Sequence, residues 1–109
     1  MRAVKRLLWW IIAGSEGGFN RARIIFTLKE RPYNAKQLAE RLKLNYTTVR
    51  YHLKVLESNN LIISSGKKYG KMYFLSPILL DNYEDFEEIW AKIMKKKITN
   101  EKNKEEDKP

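Results

Sequence analysis

Length, composition and charge limit this chain to a single basic domain. It has 109 residues, 43% of them hydrophobic, which is enough for one modest hydrophobic core. It has no cysteine, which excludes disulfides and thiolate metal sites. The net charge of +9 is segregated: residues 20–71 hold twelve Lys and Arg against three Glu, whereas residues 72–98 hold four Lys against five acidic residues. This segregation favours a polyanion-binding module joined to an element with another role.

The first predicted helix covers residues 2–13 and is apolar on nearly every side. Its apolar residues are Val4, Leu7, Leu8, Trp9, Trp10, Ile11 and Ile12. A helix of this kind must be covered on more than one side, so a second copy of the chain is the expected cover. The alternative is that both indoles pack within their own domain.

The same segment superficially imitates a secretory signal, because Arg2, Lys5 and Arg6 precede an apolar run. That run covers residues 7–13, which is the lower limit for a signal peptide and far too short to span a bilayer. An ordinary buried helix explains it at least as well, and the absence of cysteine agrees with a reducing compartment. We therefore expect a cytoplasmic protein with no membrane partner.

A second helix is predicted over residues 21–30, after a turn marked by glycines at positions 14, 17 and 18. Asn20 is the expected N-cap, and the helix ends before Pro32, since the residue before proline is pushed out of the α region. Its inward residues are Ile24, Ile25 and Leu28. Arg21 and Arg23 stand in the first turn, where the helix dipole does not favour cations. This cost indicates a use, and phosphate contact by Arg21 is the one we expect; a solvated pair is the alternative.

Residues 34–56 read as two short helices joined by a tight turn. The first should begin at an Asn34 N-cap, with Gln37 completing a capping box. Leu44 breaks its period, and Asn45 can cap the second helix at once. The apolar positions repeat at helical spacing: Ala35, Leu38, Ala39 and Leu42 in the first helix, and Val49, Leu53 and Leu56 in the second. Each helix therefore buries one stripe.

The side of the second helix that is left exposed carries hydroxyls and positive charge, with no acidic residue before Glu57. Such a face suits contact with phosphates and hydrogen bonding to base edges. The pattern therefore predicts a DNA-binding helix-turn-helix. The residues of this region expected to contact DNA are Asn45, Tyr46, Thr47, Thr48, Arg50, Tyr51 and Lys54.

A β-hairpin is predicted next, with strands over residues 61–65 and 71–75. Residues 58–60 form a polar stop before it, in which Asn59 or Asn60 can adopt a left-handed cap. The five-residue linker has a glycine at each end. It forms a basic wing able to lie along the DNA backbone or in a minor groove; a loop that is basic only for solubility is the alternative. The wing residues are Lys67, Lys68, Tyr69 and Lys71.

The last predicted helix starts at Ser76-Pro77, which supplies an N-cap and a proline at the first helical position. Its apolar residues alternate by four and three, a heptad seam suited to docking on a partner helix. With helix one it forms the predicted dimer interface: Leu7, Leu8, Trp9, Trp10, Ile11, Leu79, Tyr83, Phe86, Trp90 and Ile93. From residue 99 the chain lacks any apolar side chain, which predicts a disordered tail.

These elements give a domain organisation and a fold class. Residues 1–98 form one winged domain, with an N-terminal helix and turn over 1–18, a DNA-binding core over 19–76 and a dimerisation helix over 77–98. Residues 99–109 are the tail. The expected fold is mainly α with a small β-hairpin (α+β), a winged helix-turn-helix flanked by N- and C-terminal dimerisation helices.

Other chemistry finds little support in the sequence. His52 is the only histidine, without the partners that a metal site or an activated nucleophile needs; a half-buried structural or phosphate-contacting role is expected. No glycine-rich phosphate loop occurs. The acidic residues Asp81, Glu84, Asp85 and Glu88 fall opposite the apolar seam, an ordinary solvated arrangement. We expect no enzyme activity, no cofactor and no metal.

Several motifs carry a family resemblance, which covers residues 21–76, about half of the chain. They are Pro32-Tyr33-Asn34, Gln37-Leu38-Ala39, Leu42-Lys43-Leu44, the stretch 48–57 with its TVxxHLxxLE pattern, Asn60-Leu61-Ile62 and the stretch 69–75. Together with the order of elements, they resemble the winged helix-turn-helix repressors of the arsenic-repressor (ArsR-like) group. Archaeal members of that group look most similar.

The resemblance implies a homodimeric transcription regulator, a repressor of double-stranded DNA targets, with recognition helices in successive major grooves. Members of the group often sense metals through cysteines on or near the DNA-reading helices, and this chain departs from them there. Arg50 and Tyr51 also replace the small or imidazole residues common at those positions, so no operator sequence carries over. A winged helix used for protein assembly or RNA binding is the alternative function, because the fold alone does not fix function.

Overall fold

The computed structural model describes residues 3–68 and 70–106, which form a mainly helical protein with one small sheet. The elements are α1 (Ala3–Leu8), a π-helical turn (Trp9–Ala13), α2 (Gly18–Glu30), β1 (Tyr33–Asn34), α3 (Ala35–Leu42), α4 (Tyr46–Ser58), β2 (Ile62–Ser65), β3 (Met72–Leu75), α5 (Pro77–Asp81) and α6 (Tyr83–Glu106). This confirms the predicted fold class. None of the helices in the described ranges is long and apolar enough to cross a membrane.

The sheet contains the predicted hairpin and one strand that was not predicted. β2 and β3 pair antiparallel, with Ile62 opposite Leu75. β1 adds to the other edge of β3 through Tyr33 and Asn34, so the strand order is β1-β3-β2. A two-residue strand leaves no alternating pattern in a sequence, which is why β1 was missed. Tyr69, the wing aromatic, lies outside the described residues.

Three helices, α3, α4 and α5, begin with the capping chemistry predicted from the sequence. The Asn34 side chain accepts from the Gln37 backbone N–H, and the Gln37 side chain accepts from the Asn34 N–H, which completes the capping box. Asn45 caps α4 and Ser76 caps α5. Asn60 takes the left-handed conformation at the end of the α4 region, with φ 59°.

The start of α2 was predicted incorrectly. The helix begins at Gly18, not at residue 21, and its N-cap is Gly17 with φ 86°. A Cβ on Gly18 would lie 1.8 Å from the Ile12 carbonyl oxygen, so the first helix and α2 approach more closely than any side chain allows. Asn20 does not cap the helix; its side chain accepts a hydrogen bond from Arg23 at 3.0 Å.

The core draws on every helix, and this changes the predicted dimer interface. Leu8, Leu79 and Phe86 are each fully buried within a single chain. They were predicted to face a partner, but all three belong to the core of a single chain, in which α6 packs against α1 and the π-helical turn. The indoles of Trp9 and Trp10 remain 42% and 65% exposed.

The C-terminal region differs from its prediction in two ways. The predicted long helix is divided at Asn82, whose N–H bonds back to the carbonyls of Leu79 and Leu80 at the end of α5. α6 then continues to Glu106. The prediction that the chain is disordered from residue 99 is therefore wrong for residues 99–106. Lys and Glu are strong helix formers, and a helix that is already nucleated extends through them without an apolar face. The rest of the predicted tail, residues 107–109, lies outside the described residues.

Aromatic side chains hold α2 and α6 together. The rings of Tyr83, Phe86, Phe26, Trp90 and Phe19 follow one another at centroid distances of 5.4, 4.8, 5.2 and 5.4 Å. An ammonium group closes each end of this aromatic ladder: Lys29 lies 4.9 Å from the Tyr83 ring, and Lys97 lies 4.0 Å from the Phe19 ring. Ring contacts at these distances contribute beyond simple burial.

Candidate nucleic-acid interface

The central element of the candidate site is α4, which is anchored on one side and open on the other. Val49, Leu53 and Leu56 are buried to 1% exposure or less, as the apolar stripe predicted. The Asn45 side chain accepts from the Thr47 N–H at 2.8 Å and fixes the first turn. The turn before it is closed by Lys43, which takes φ 56° and bonds back to α3.

The open side of α4 has the composition that the sequence indicated. Tyr46 and Tyr51 are 51% and 60% exposed. The other predicted residues of this face are also exposed: Asn45, Thr47, Thr48, Arg50 and Lys54. Their exposure is confirmed, while their contact with DNA stays a prediction.

The structure brings the wing and α4 together around a shared groove of about 600 Å³. Arg50 of α4, Lys68 of the hairpin linker and Lys71 at the base of β3 all line it. Lys36 of α3 lines it too, a residue that was not predicted to contact DNA. In the sequence, the only indication of such a role was its position at the start of α3, outside the apolar stripe of that helix. Lys67 is exposed at the hairpin tip and is not among the groove residues.

Tyr73 forms part of this groove floor and was also missed by the sequence analysis. It is 4% exposed, and burial raises the pKa of its phenol, an effect that the nearby Arg50 partly opposes. Tyr73 therefore stays neutral at physiological pH. Glu57, on the same side of α4, accepts a hydrogen bond from the Ser64 hydroxyl at 2.6 Å, which ties α4 to β2.

Arg21 was predicted to contact phosphate, and the structure contradicts this. The side chain is 3% exposed. Its guanidinium donates to the carbonyl oxygens of Ile11 and Glu16, both at 3.0 Å, and to the Ser15 hydroxyl at 2.6 Å. Its Nη1 lies 3.2 Å from the Nδ1 atom of His52. The cation in the first turn of α2 therefore serves internal hydrogen bonding.

His52 lies on the buried side of α4 at 4% exposure, deeper than the half-buried position predicted. A guanidinium only donates, so Nδ1 is the acceptor and the ring proton is on Nε2. Burial, and secondarily the charge of Arg21, lower the pKa of His52 below its ordinary value. Burial also lowers the pKa of Arg21. The pair links the π-helical turn, α2 and α4 without any carboxylate among its hydrogen-bond partners in the described chain.

A metal centre has no support in the described part of the chain. Across residues 3–68 and 70–106, no group of three or more His, Asp or Glu side chains is placed to hold an ion. The surface around α4 offers hydroxyls, ammonium groups and the Arg50 guanidinium, with the carboxylates of Glu40 and Glu57 at its margins. Such an arrangement can bind a polyanion and donate hydrogen bonds.

Comparisons with known proteins agree with this geometry. Residues 20–64 match the sequence model of the family described as "Bacterial regulatory protein, arsR family". No curated protein matches the chain. Among solved structures, reduced HlyU from Vibrio cholerae is similar with a TM-score of 0.58 at 20% identity, over 82% of this chain and 85% of that one.

Two further solved structures show the same likeness. The transcriptional regulator HlyU from Vibrio vulnificus has a TM-score of 0.58 at 18% identity, over 82% of this chain and 84% of its own. Staphylococcus aureus MarR, in complex with salicylate and kanamycin, has a TM-score of 0.59 at 19% identity, over 92% of this chain and 67% of its own. These likenesses show a shared fold. Residues 20–64 thus match the sequence model of the arsR family, and the chain as a whole has the winged-helix fold.

Proposed function

We propose that this protein is a sequence-specific, double-stranded DNA-binding transcriptional regulator. The observation that carries the proposal is the shared groove, in which Arg50 of α4 and the wing residues Lys68 and Lys71 line one surface. A helix that reads bases needs an exposed polar face and flanking cations that hold the phosphates. The ArsR-family match over residues 20–64 supports the same function.

Each part of the surface has a distinct role in this proposal. α4 enters the major groove, and the Arg50 guanidinium, whose fork matches O6 and N7 of guanine, is the leading candidate for base recognition. Thr47, Thr48 and Tyr51 offer hydroxyls to base edges or phosphates. The wing lysines and Lys36 lie along the backbone as point charges, with little dependence on sequence.

We further propose that the protein acts as a homodimer. Trp9 and Trp10 are 42% and 65% exposed on the π-helical turn, and exposed indoles of this size are typical of interface anchors. A two-fold arrangement would set two α4 helices about 34 Å apart, one turn of DNA. A dimer seated across two half-sites would block other proteins at the site, so repression is the proposed outcome. The protein would act in the cytoplasm. Its resemblance to archaeal members of the group stays a prediction.

The DNA proposal is tested by selecting bound sites from random duplexes and then comparing two arginine variants on the selected site. Arg50→Ala should weaken binding by about 5- to 150-fold, corresponding to roughly 1–3 kcal/mol for a lost base contact. Arg41→Ala is the matched control, because Arg41 lies on α3 in an exposed ion pair with Glu30 at 3.2 Å. If Arg50→Ala bound the selected and the scrambled duplexes with wild-type affinities, as Arg41→Ala should, the proposal would be contradicted. Tighter binding to structured RNA would favour the alternative function.

The dimer proposal is tested by sedimentation of Trp10→Glu. A carboxylate at this position should give a folded monomer that loses most of its specific affinity, because burying an unpaired charge is costly. Ile63→Glu is the control, since Ile63 is 47% exposed on β2, away from the first helix. A wild-type protein that is monomeric both free and on its site would refute the dimer.

A further inference from the structure

We propose that the Tyr73 hydroxyl donates a hydrogen bond to one backbone phosphate of the bound DNA, at the floor of the shared groove. This inference rests on the proposed DNA-binding function and adds a contact that lies inside the sheet. Tyr73 is in the central strand β3, opposite Ser64 of β2 and Tyr33 of β1. A phosphate bound to it would sit between α3, α4 and the hairpin, which together line the groove.

The Tyr73 hydroxyl is a donor that the described part of the protein does not use. The residue is 4% exposed, yet no hydrogen bond joins its hydroxyl to any residue within 3–68 and 70–106. Every fully enclosed side-chain nitrogen or oxygen in those ranges has a partner, so this hydroxyl is open to the groove. Buried hydroxyls are normally paired, which indicates a partner that arrives from outside.

The surroundings of the hydroxyl suit an anion. Among the described residues that line the groove, four cations face a single carboxylate: Lys36, Arg50, Lys68 and Lys71 against Glu40. The first residues of α3 also line it, and the partial positive charge at a helix N-terminus favours an anion. Burial raises the pKa of the phenol, so the hydroxyl keeps its proton at physiological pH and can donate it to a phosphate oxygen.

The carboxylate on the other side of the phenol is engaged elsewhere. The charge of Glu57 acts on Tyr73, but the Glu57 carboxylate accepts from the Ser64 hydroxyl at 2.6 Å. That bond holds the carboxylate against β2, and the Tyr73 hydroxyl stays available to a ligand in the groove. A phosphate there would also meet the charges of Arg50 and Lys71, which line the same groove.

The inference is tested with Y73F, which removes the hydroxyl and keeps the buried ring. Because the hydroxyl has no partner in the described part of the free protein, Y73F should unfold at the same urea concentration as wild type. Its affinity for the selected duplex should fall by about tenfold or more, as expected for a lost hydrogen bond to a charged group. Y33F is the matched control, because Tyr33 pairs with Tyr73 across the sheet and is 7% exposed but does not line the groove. It should bind DNA as wild type does.

Two further measurements separate a phosphate contact from an indirect effect. A neutral phenol displaces no counterion, so the slope of affinity against salt should be the same in Y73F and wild type. The second measurement replaces each phosphate of the selected duplex in turn with a neutral methylphosphonate. At one position or more, the replacement should weaken binding at least fivefold less in Y73F than in wild type, whereas Y33F should keep the wild-type pattern.

Three results would overturn the inference while leaving the proposed function intact. The first is wild-type affinity of Y73F for the selected duplex. The second is a lower urea midpoint of Y73F, which would show that the hydroxyl has a partner inside the protein. The third is an equal loss in Y73F and wild type at every methylphosphonate position, which would make Tyr73 a positioning residue for Arg50. A wild-type protein that binds no duplex would instead refute the proposed function, and this inference with it.

Discussion

Replacing Arg21 with methionine should test how strongly the buried arginine supports α4. The change keeps much of the side-chain volume but removes every donor. It leaves the His52 Nδ1 atom, 3.2 Å from the guanidinium, without a partner in a buried position. It also frees the carbonyls of Ile11 and Glu16, which are only partly buried and can bind water. The buried bond to His52 should therefore contribute more to the stability of the fold than the partly buried bonds to the two carbonyls.

The expected magnitude follows from these differences in burial. A buried acceptor left unpaired costs about 1–3 kcal/mol, and each partly buried bond contributes about 0.5–1.5 kcal/mol net. The desolvation of the guanidinium, which methionine relieves, offsets part of this sum. We expect the free energy of unfolding to fall by about 2–4 kcal/mol, which lowers the melting temperature by roughly 8–16 °C for a domain of this size.

Urea unfolding followed by circular dichroism measures this loss, with Arg41→Met as the control. Arg41 forms an exposed ion pair with Glu30, and such pairs contribute about 0–1 kcal/mol. A double variant that also changes His52 to leucine should lose less than the sum of the two single variants, because the acceptor is then gone too. An Arg21→Met protein within about 0.5 kcal/mol of wild type would refute the assigned role.

Two further predictions concern pH and salt. Because the pKa of His52 is lowered from 6.5 in the folded protein, the unfolded chain binds more protons below that pH, so the free energy of unfolding should fall as pH drops from about 6.5 towards the folded pKa. His52→Gln should flatten this dependence in urea titrations between about pH 7.5 and 5; an unchanged profile would contradict it. Replacing Lys67, Lys68 and Lys71 with Gln should weaken binding to every duplex and reduce the slope of affinity against salt, whereas an unchanged slope would place the wing off the DNA.

The helix-turn-helix could be predicted closely because its determinants are local. Asn34, Gln37 and Asn45 cap their helices through neighbours two or three residues away. The stripe of Val49, Leu53 and Leu56 is long enough for helical periodicity to be unambiguous. The exposed face of α4 comes from one helix, so the spacing of its apolar residues was enough to predict which side chains are exposed.

The features that were predicted incorrectly depend on contacts between segments that are distant in the sequence. Gly18 starts α2 early because the Ile12 backbone passes close to it, and Arg21 turns inward because the π-helical turn presents carbonyls to it. The charge pattern of the sequence, considered alone, had predicted that this arginine contacts phosphate. Phe86 was assigned to a partner chain because a heptad seam does not show which surface covers it. Lys36 joins the groove only because α3 packs against α4, which sets it across the groove from the wing.

The aromatic ladder has a mechanical consequence. Three of its ring contacts, each contributing about 0.5–1.5 kcal/mol beyond burial, join α6 to Phe19 and Phe26 of α2. α2 in turn carries Arg21, which supports α4 through His52. These contacts link α6, α2 and α4 into one connected unit. In a dimer joined through the π-helical turns, a small rotation between the protomers would therefore carry each α4 with it. The distance between the two α4 helices, and with it the spacing of the DNA half-sites that the dimer binds, would change with the angle of rotation.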